Sequence, residues 1–158
     1  MLKREIMTTI TDSQVITLGK PPSKWTINCH KGVTITPSTE NNTLRLSIAN
    51  TSGANWHGEL IFAPFTVTEG DIYHLSFFAR AQNPFTFSVW LGQMESPHSS
   101  LVRKENHFGE KTMTPDWQLF THTWIAIRSE PKARLDFVLG QIDNTVEIKD
   151  AVLNKEAV

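Results

Sequence analysis

The chain has 158 residues, a formal net charge of −1 at pH 7 and a single cysteine, Cys29. This length suits one domain with a two-layer core. The balanced charge gives no basic field for nucleic acid, and one cysteine excludes an intrachain disulfide. No apolar segment reaches the roughly 18 residues that span a membrane. We therefore expect one domain over residues 1–158 that binds neither nucleic acid nor membrane, with residues 1–12 a flexible or added N-terminus without a signal peptide.

Short strands separated by turn residues dominate the rest of the chain. Valine, isoleucine, threonine and phenylalanine are frequent, and proline, glycine, asparagine and serine recur at short intervals, as in all-β proteins. The predicted strands, in chain order, are Val15–Leu18, Trp25–Cys29, Val33–Thr36, Leu44–Ala49, Trp56–Phe62, Ile72–Ala81, Thr86–Leu91, Ser100–Lys104, Gln118–Ile127, Arg134–Leu139 and Val146–Leu153. Because each strand has one apolar face, we predict an all-β fold, a two-sheet antiparallel jelly-roll β-sandwich.

The clearest alternation lies in residues 70–93, which we interpret as two strands of one sheet joined by a turn at Gln82–Pro84. One face of each strand is apolar and packs on the core. The other face is polar except for two large aromatic residues, Phe78 and Trp90. A pyranose offers C–H bonds to an aromatic ring and hydroxyl groups to polar side chains. The alternation therefore predicts a sugar-binding surface.

Several short motifs follow one another along the chain. They are WHGEL at Trp56–Leu60, GDIYHLSFFARA at Gly70–Ala81, FSVWLGQ at Phe87–Gln93, WQLF at Trp117–Phe120, RLDFVLG at Arg134–Gly140 and VEIKDAVL at Val146–Leu153. In order and spacing they resemble the carbohydrate-binding modules of families 4, 9, 16 and 22. The resemblance implies a galactose-binding-domain-like jelly roll without catalytic activity, which binds an oligo- or polysaccharide on its concave sheet. It also implies an extracellular module attached to the catalytic domain of a secreted glycoside hydrolase, with β-glucan or xylan as the polymer.

The ligand-binding candidates are the aromatic and polar residues that the alternation assigns to the concave sheet. Trp90 and Phe78 offer rings for stacking, and Trp56 belongs either to the cleft or to the core. The full set of candidates is Trp90, Phe78, His74, Arg80, Gln93, Asp136, Glu59, Trp56 and His57. The remaining tryptophans, Trp25, Trp117 and Trp124, are predicted to be structural.

The sequence predicts no cofactor and no metal site. The six histidines never occur at the spacing of paired metal ligands. The resembling modules often hold a structural calcium through an aspartate of the last strand, and Lys149 stands at that position. Because an ammonium group provides no oxygen ligand and repels a cation, we doubt that calcium binds there, although Asp150, Asp12 and backbone carbonyls could still form a displaced site.

Two other functions remain open on the same fold. A protein-interaction or assembly domain would use the aromatic face to bind a partner or a second copy. A small glycoside hydrolase or lyase would place Glu59 and Asp136 on either side of a glycosidic bond. Nothing in the surrounding sequence predicts perturbed pKa values for this pair.

Overall fold

The computed structural model describes residues 25–156, so the strand predicted at Val15–Leu18 and residues 1–12 lie outside the described residues. Within that range the strands are β1 (Trp25–Cys29), β2 (Thr34–Glu40), β3 (Thr43–Ala49), β4 (Gly58–Val67), β5 (Ile72–Ala81), β6 (Phe85–Gln93), β7 (Lys111–Met113), β8 (Gln118–Ile125), β9 (Glu130–Val138) and β10 (Asn144–Glu156). Single 3-10 turns cover Asn55–His57 and Lys104–Asn106. No helix in the described part of the chain is long and apolar enough to cross a membrane.

The strands form two antiparallel sheets of five strands each, which confirms the predicted two-sheet jelly-roll sandwich. We name the sheet with the order β1-β4-β9-β6-β7 the front sheet, and the sheet with the order β2-β3-β10-β5-β8 the back sheet. The predicted strand at Ser100–Lys104 is reduced to isolated bridges at Ser100 and Val102. The sequence pattern does not predict the short strand β7.

The apolar faces of the two sheets pack against each other to form the core. Phe77 of the back sheet and Phe137 of the front sheet are fully buried, and their rings meet edge to face with centroids 5.2 Å apart. Trp124 is buried in this core, as predicted. Trp25 packs against it from β1, with its ring 5.8 Å from that of Phe137. The alternation of the strands therefore predicts correctly which side chains face inward.

The interpretation of residues 70–93 as neighbouring strands of one sheet is wrong. β5 lies in the back sheet and β6 in the front sheet. The residues between them cross from one sheet to the other, where the backbone N–H of Gln82 donates to the carbonyl of Thr145. The side-chain amide of Asn144 also accepts from the N–H of Asn83 at 2.9 Å and donates to its carbonyl at 2.8 Å. These contacts tie the connection to the start of β10, so that β6 begins in the opposite sheet.

Candidate functional site

The outer surface of the front sheet, which we name the front face, collects the polar groups of four strands. Its residues are Thr26, Asn28, Glu59, Ile61, Ser88, Trp90, Arg134, Asp136 and Val138. Strand register places Ile61, Asp136 and Trp90 side by side on β4, β9 and β6. The central residues point outward and yet are buried: Glu59 is 5% and Asp136 2% exposed. The centre of the front face is therefore recessed between more exposed side chains.

A pair of carboxyl groups forms this recessed centre. Glu59 on β4 and Asp136 on β9 are diagonal neighbours on the same face. Burial, followed by hydrogen bonding and repulsion from Glu59, raises the pKa of Asp136 to about 9, against a smaller lowering effect from Arg134. At neutral pH Asp136 therefore keeps its proton. The sequence gives no indication of this raised pKa, because it does not reveal that both groups are buried together.

The surrounding donors serve the two carboxyl groups unequally. Asn28 donates from Nδ2 to Glu59 Oε1 at 2.9 Å, and His30 Nε2 lies 3.5 Å from the same oxygen. Arg134 Nη2 lies 3.5 Å from Asp136 Oδ2. Asp136 Oδ1 is buried and meets no hydrogen-bond donor among the described residues. A protonated Asp136 lowers the free-energy cost of burial at this position. An ionised carboxylate there would have too few hydrogen-bond donors to offset its loss of hydration.

Exposed indole rings lie on two sides of the carboxyl pair. Trp56 is 51% and Trp90 42% exposed. The Trp56 ring centroid lies 4.1 Å from that of His57 and 5.3 Å from that of His30, which connects it to Glu59. Trp90 neighbours Asp136 in the sheet and meets the His107 ring at 4.9 Å. A continuous line of contacts thus joins two exposed tryptophans through a polar floor.

The predicted site residues fall into separate groups. The front face brings together Glu59, Asp136 and Trp90, with Trp56 at its margin and outside the core. His57 is buried beneath Trp56, and its Nδ1 bonds to the hydroxyl of Ser52, so it supports the indole ring.

Gln93 belongs to the set of β6 residues whose side chains point inward, so it does not lie on the front face. Its amide donates to Glu130 at 3.1 Å and accepts from the N–H of Ser99 at 3.0 Å. These bonds hold together the loops at that end of β6. The prediction that Gln93 shares a face with Trp90 is wrong because the two residues are three positions apart along the strand, and an odd offset places side chains on opposite faces.

The prediction that Phe78, His74 and Arg80 share a face with Trp90 is also wrong. All three point outward from β5, which belongs to the back sheet, so they lie on the opposite side of the sandwich. His74 Nε2 contacts Glu156 at 3.0 Å, and Arg80 Nε donates to Glu147 at 2.7 Å. The alternation gives the correct parity for these residues but not the sheet to which their strand belongs.

Sequence reasoning missed the neighbours Asn28, His30, Arg134 and His107. Asn28 and Arg134 could have been identified from the sequence, because alternation places them opposite the apolar residues of their strands. His30 lies just beyond the end of β1, where alternation no longer assigns a face. His107 follows the 3-10 turn Lys104–Asn106 in a segment without regular periodicity. Nothing in that segment indicates that its imidazole reaches Trp90.

No group of three or more histidine, cysteine, aspartate or glutamate residues within residues 25–156 is placed to hold a metal ion. Lys149, at the position of the expected calcium ligand, places Nζ 4.2 Å from the ring centroid of Trp117. Asp150 beside it is exposed. The residues present here do not fit a calcium site, because the central position is cationic and engaged with an aromatic ring.

Comparison with known proteins identifies the family and the fold. The family model of the carbohydrate binding domain, of the CBM 4 and 9 type, matches residues 19–146. The chain belongs to this family and is a non-catalytic, polysaccharide-binding module. No curated protein sequence matches the chain.

Solved structures show the same fold at low sequence identity. A CBM4 domain superposes with a TM-score of 0.75 at 20% identity, over 89% of this chain and 92% of that one. The N-terminal cellulose-binding domain of Cellulomonas fimi β-1,4-glucanase C gives 0.69 at 17% identity, over 92% and 96%. The CBM22-1 xylan-binding domain of Paenibacillus barcinonensis Xyn10C gives 0.62 at 8% identity, over 94% and 96%.

Proposed function

We propose that the front face is the polysaccharide-binding site of this module. The observation that carries the proposal is the pair of exposed tryptophans, Trp56 and Trp90, on either side of a recessed polar floor. Each indole ring can pack against the C–H face of a pyranose. Asn28, Glu59 and Arg134 lie on the same face and can exchange hydrogen bonds with sugar hydroxyl groups.

The polymer that we propose is a neutral chain of the β-glucan or xylan type. Solved structures of the same fold include a cellulose-binding and a xylan-binding domain, which supports this choice. Asp136 keeps its proton at neutral pH because its pKa is raised to about 9, so this buried group adds no negative charge to the floor that an uncharged ligand would meet. An open, wet site of this kind binds with dissociation constants on the order of micromolar to millimolar.

We further propose that the module works outside the cell, as the accessory domain of a glycoside hydrolase. Family membership supports this role, because a non-catalytic module acts by holding a catalytic neighbour near its polymer. Glu59 and Asp136 do not argue for catalysis in this chain. They are buried neighbours on one surface, and Asp136 keeps its proton, whereas a glycosidase needs two carboxyl groups that flank the scissile bond.

Affinity electrophoresis against barley β-glucan, hydroxyethyl cellulose and xylan tests the site. We expect at least one polymer to retard the protein, and Trp90→Ala or Trp56→Ala to abolish the retardation. Ile125→Thr is the matched control, since Ile125 is 48% exposed on the back sheet. Unchanged retardation of both tryptophan variants would place the site elsewhere. Dimerisation that is lost in Trp90→Ala, without any retardation of the original protein, would favour an assembly role.

We propose that this binding needs no calcium, because Lys149 and Trp117 engage each other at the position where the ion would sit. The same gels run with a chelator should show the same retardation and the same melting temperature. Loss of either with the chelator, and recovery with added calcium, would overturn this part of the proposal.

A further inference from the structure

The outer surface of the back sheet carries a row of charged and aromatic side chains that the proposed function does not use. Strand register aligns Ser38, Arg45, Glu147 and Arg80 on β2, β3, β10 and β5. Trp117 completes the row, because the next residue, Gln118, pairs with Ala79, the neighbour of Arg80. One residue from each of four strands, together with the residue just before β8, therefore forms a line across the sheet. We name this line the back row.

In the back row, Arg45 has only one weak ion-pair partner among the described residues. Arg80 Nε donates to Glu147 Oε1 at 2.7 Å, a short charge-assisted bond. Arg45 Nη1 approaches the other oxygen of Glu147 only to 3.9 Å, and its side chain is 60% exposed. Arg45 makes no other polar contact with the described residues. Its guanidinium group is therefore available to an anion from solution.

The indole ring of Trp117 is fixed at one end of the back row. The guanidinium carbon of Arg80 lies 4.5 Å from the ring centroid, and Lys149 Nζ lies 4.2 Å from it. Cations over an aromatic ring hold it by electrostatic attraction. The two cations thus hold the Trp117 ring in place at the side of the surface. Lys149 also adds a positive charge beside this ring.

Two depressions adjoin along the back row, with volumes of about 180 Å³ and 290 Å³. Arg45, Arg80 and Glu147 line both of them, and Trp117 lines the first. Together they reach the size at which small-molecule sites begin. The lining mixes two arginines, the carboxylates of Glu40 and Glu147, hydroxyl groups and an aromatic ring.

These groups specify the chemistry of a ligand. A carboxylate matches the free donors of Arg45, because a guanidinium group binds carboxylate through two parallel hydrogen bonds. Glu147 accepts hydrogen bonds from hydroxyl groups, and Trp117 offers an apolar surface to C–H bonds. A sugar acid carries all three features on one ring, whereas a neutral sugar leaves Arg45 unpaired.

We propose that the back row is a second saccharide-binding site, selective for uronate residues. It lies on the opposite side of the sandwich from the front face, so the two sites are independent. The back row takes the acidic sugars that occur as side groups or units of many polysaccharides, and the front face takes a neutral chain.

Amide chemical-shift titration of the whole chain with methyl β-D-glucuronide and with methyl β-D-glucoside tests this proposal. We expect the glucuronide to shift residues around Arg45, Thr145 and Glu147, with affinity that falls as salt rises. The glucoside should leave these residues unshifted. Arg45→Gln should weaken glucuronide binding about tenfold or more, while Trp90→Ala should not change it.

The matched control is Arg128→Gln, because Arg128 is exposed beyond the other end of β8. It should leave glucuronide binding unchanged. Equal shifts with both sugars, shifts confined to the front face, or equal losses in Arg45→Gln and Arg128→Gln would each overturn the proposal. Failure of the front face to retain neutral polymer would not affect it.

Discussion

The carboxyl group of Asp136 on β9 meets that of Glu59 on β4, and both are nearly excluded from solvent on the outward face of the front sheet. Two carboxyl groups in such a place cannot both ionise at neutral pH. Asp136 therefore keeps its proton, because its pKa is raised to about 9. This proton sits in the middle of the proposed polysaccharide site.

The first prediction concerns stability and pH. Because the pKa of Asp136 is raised to about 9 in the folded protein, the folded state keeps a proton that the unfolded state loses above about pH 4. This group therefore lowers the free energy of unfolding as pH rises from about 4 to 9, by up to about 1.4 kcal/mol per pH unit. Asp136→Asn, which stays neutral, should flatten the decline. Urea unfolding at pH 5, 7 and 8.5 measures it.

The control for this prediction is Glu95→Gln, because the Glu95 side chain is exposed and contacts only Lys132 among the described residues. This variant should keep the pH dependence of the original protein. If Asp136→Asn and the original chain decline in parallel, the buried pair does not hold its proton as described.

The second prediction concerns ligand length. Trp56 precedes β4 and Trp90 lies on β6, with β9 between these strands, so the rings are on the order of 15 Å apart. A hexasaccharide can reach both rings and a disaccharide only one. Calorimetry should therefore show that each alanine substitution weakens hexasaccharide binding about tenfold. For a disaccharide, only one of the two substitutions should matter. Equal effects of both on the disaccharide would contradict two separate contacts.

The third prediction concerns Asn144, which is buried and holds the connection between the sheets. Its amide exchanges two hydrogen bonds with the backbone of Asn83, and its oxygen also accepts from the N–H of Thr145. Asn144→Ala removes these three part-buried hydrogen bonds and should lower the free energy of unfolding by about 1–3 kcal/mol. Asn144→Asp keeps the acceptor and should cost less. Chemical denaturation ranks the two variants, and an equal cost would show that the acceptor role is unimportant.

The fourth prediction concerns the close approach of Gly140 to Gly58. A Cβ at Gly140 would lie 2.5 Å from the backbone nitrogen of Gly58 and 3.0 Å from the carbonyl oxygen of Asn55. Because both are backbone atoms, Gly140→Ala should destabilise the fold by about 1–3 kcal/mol. Gly58→Ala meets a backbone carbon at 3.1 Å and the flexible end of Ile35 at 3.2 Å, and should cost less. Thermal unfolding compares them, and the reverse order would contradict this close packing of the two backbones.

The sequence predicts the inward faces of the strands well, because side chains alternate strictly and burial selects one parity. Leu75 and Phe77 on β5, and Phe87 and Val89 on β6, are all buried as expected. The sequence does not predict as well to which sheet each strand belongs. The residues Gln82–Pro84 suit a hairpin and a crossing equally, and the deciding contacts come from Asn144, 61 residues beyond Asn83.

The candidate site shows the same division. Trp90, Glu59 and Asp136 follow from strand parity, and Trp56 follows from its place at a strand start. His30 and His107 enter the site from loops whose course depends on long-range packing. The raised pKa of Asp136 could not be predicted either, because it depends on a burial that only the folded sheet creates.

The position of β10 constrains the order in which the chain can assemble. Residues 144–156 form the middle strand of the back sheet, with β3 on one side and β5 on the other. During synthesis from the N-terminus, β3 and β5 are therefore made long before the strand that joins them. The back sheet therefore stays in two parts until β10 has left the ribosome, and the sandwich can close only after that point. Pairing at such long sequence separation also favours slow folding.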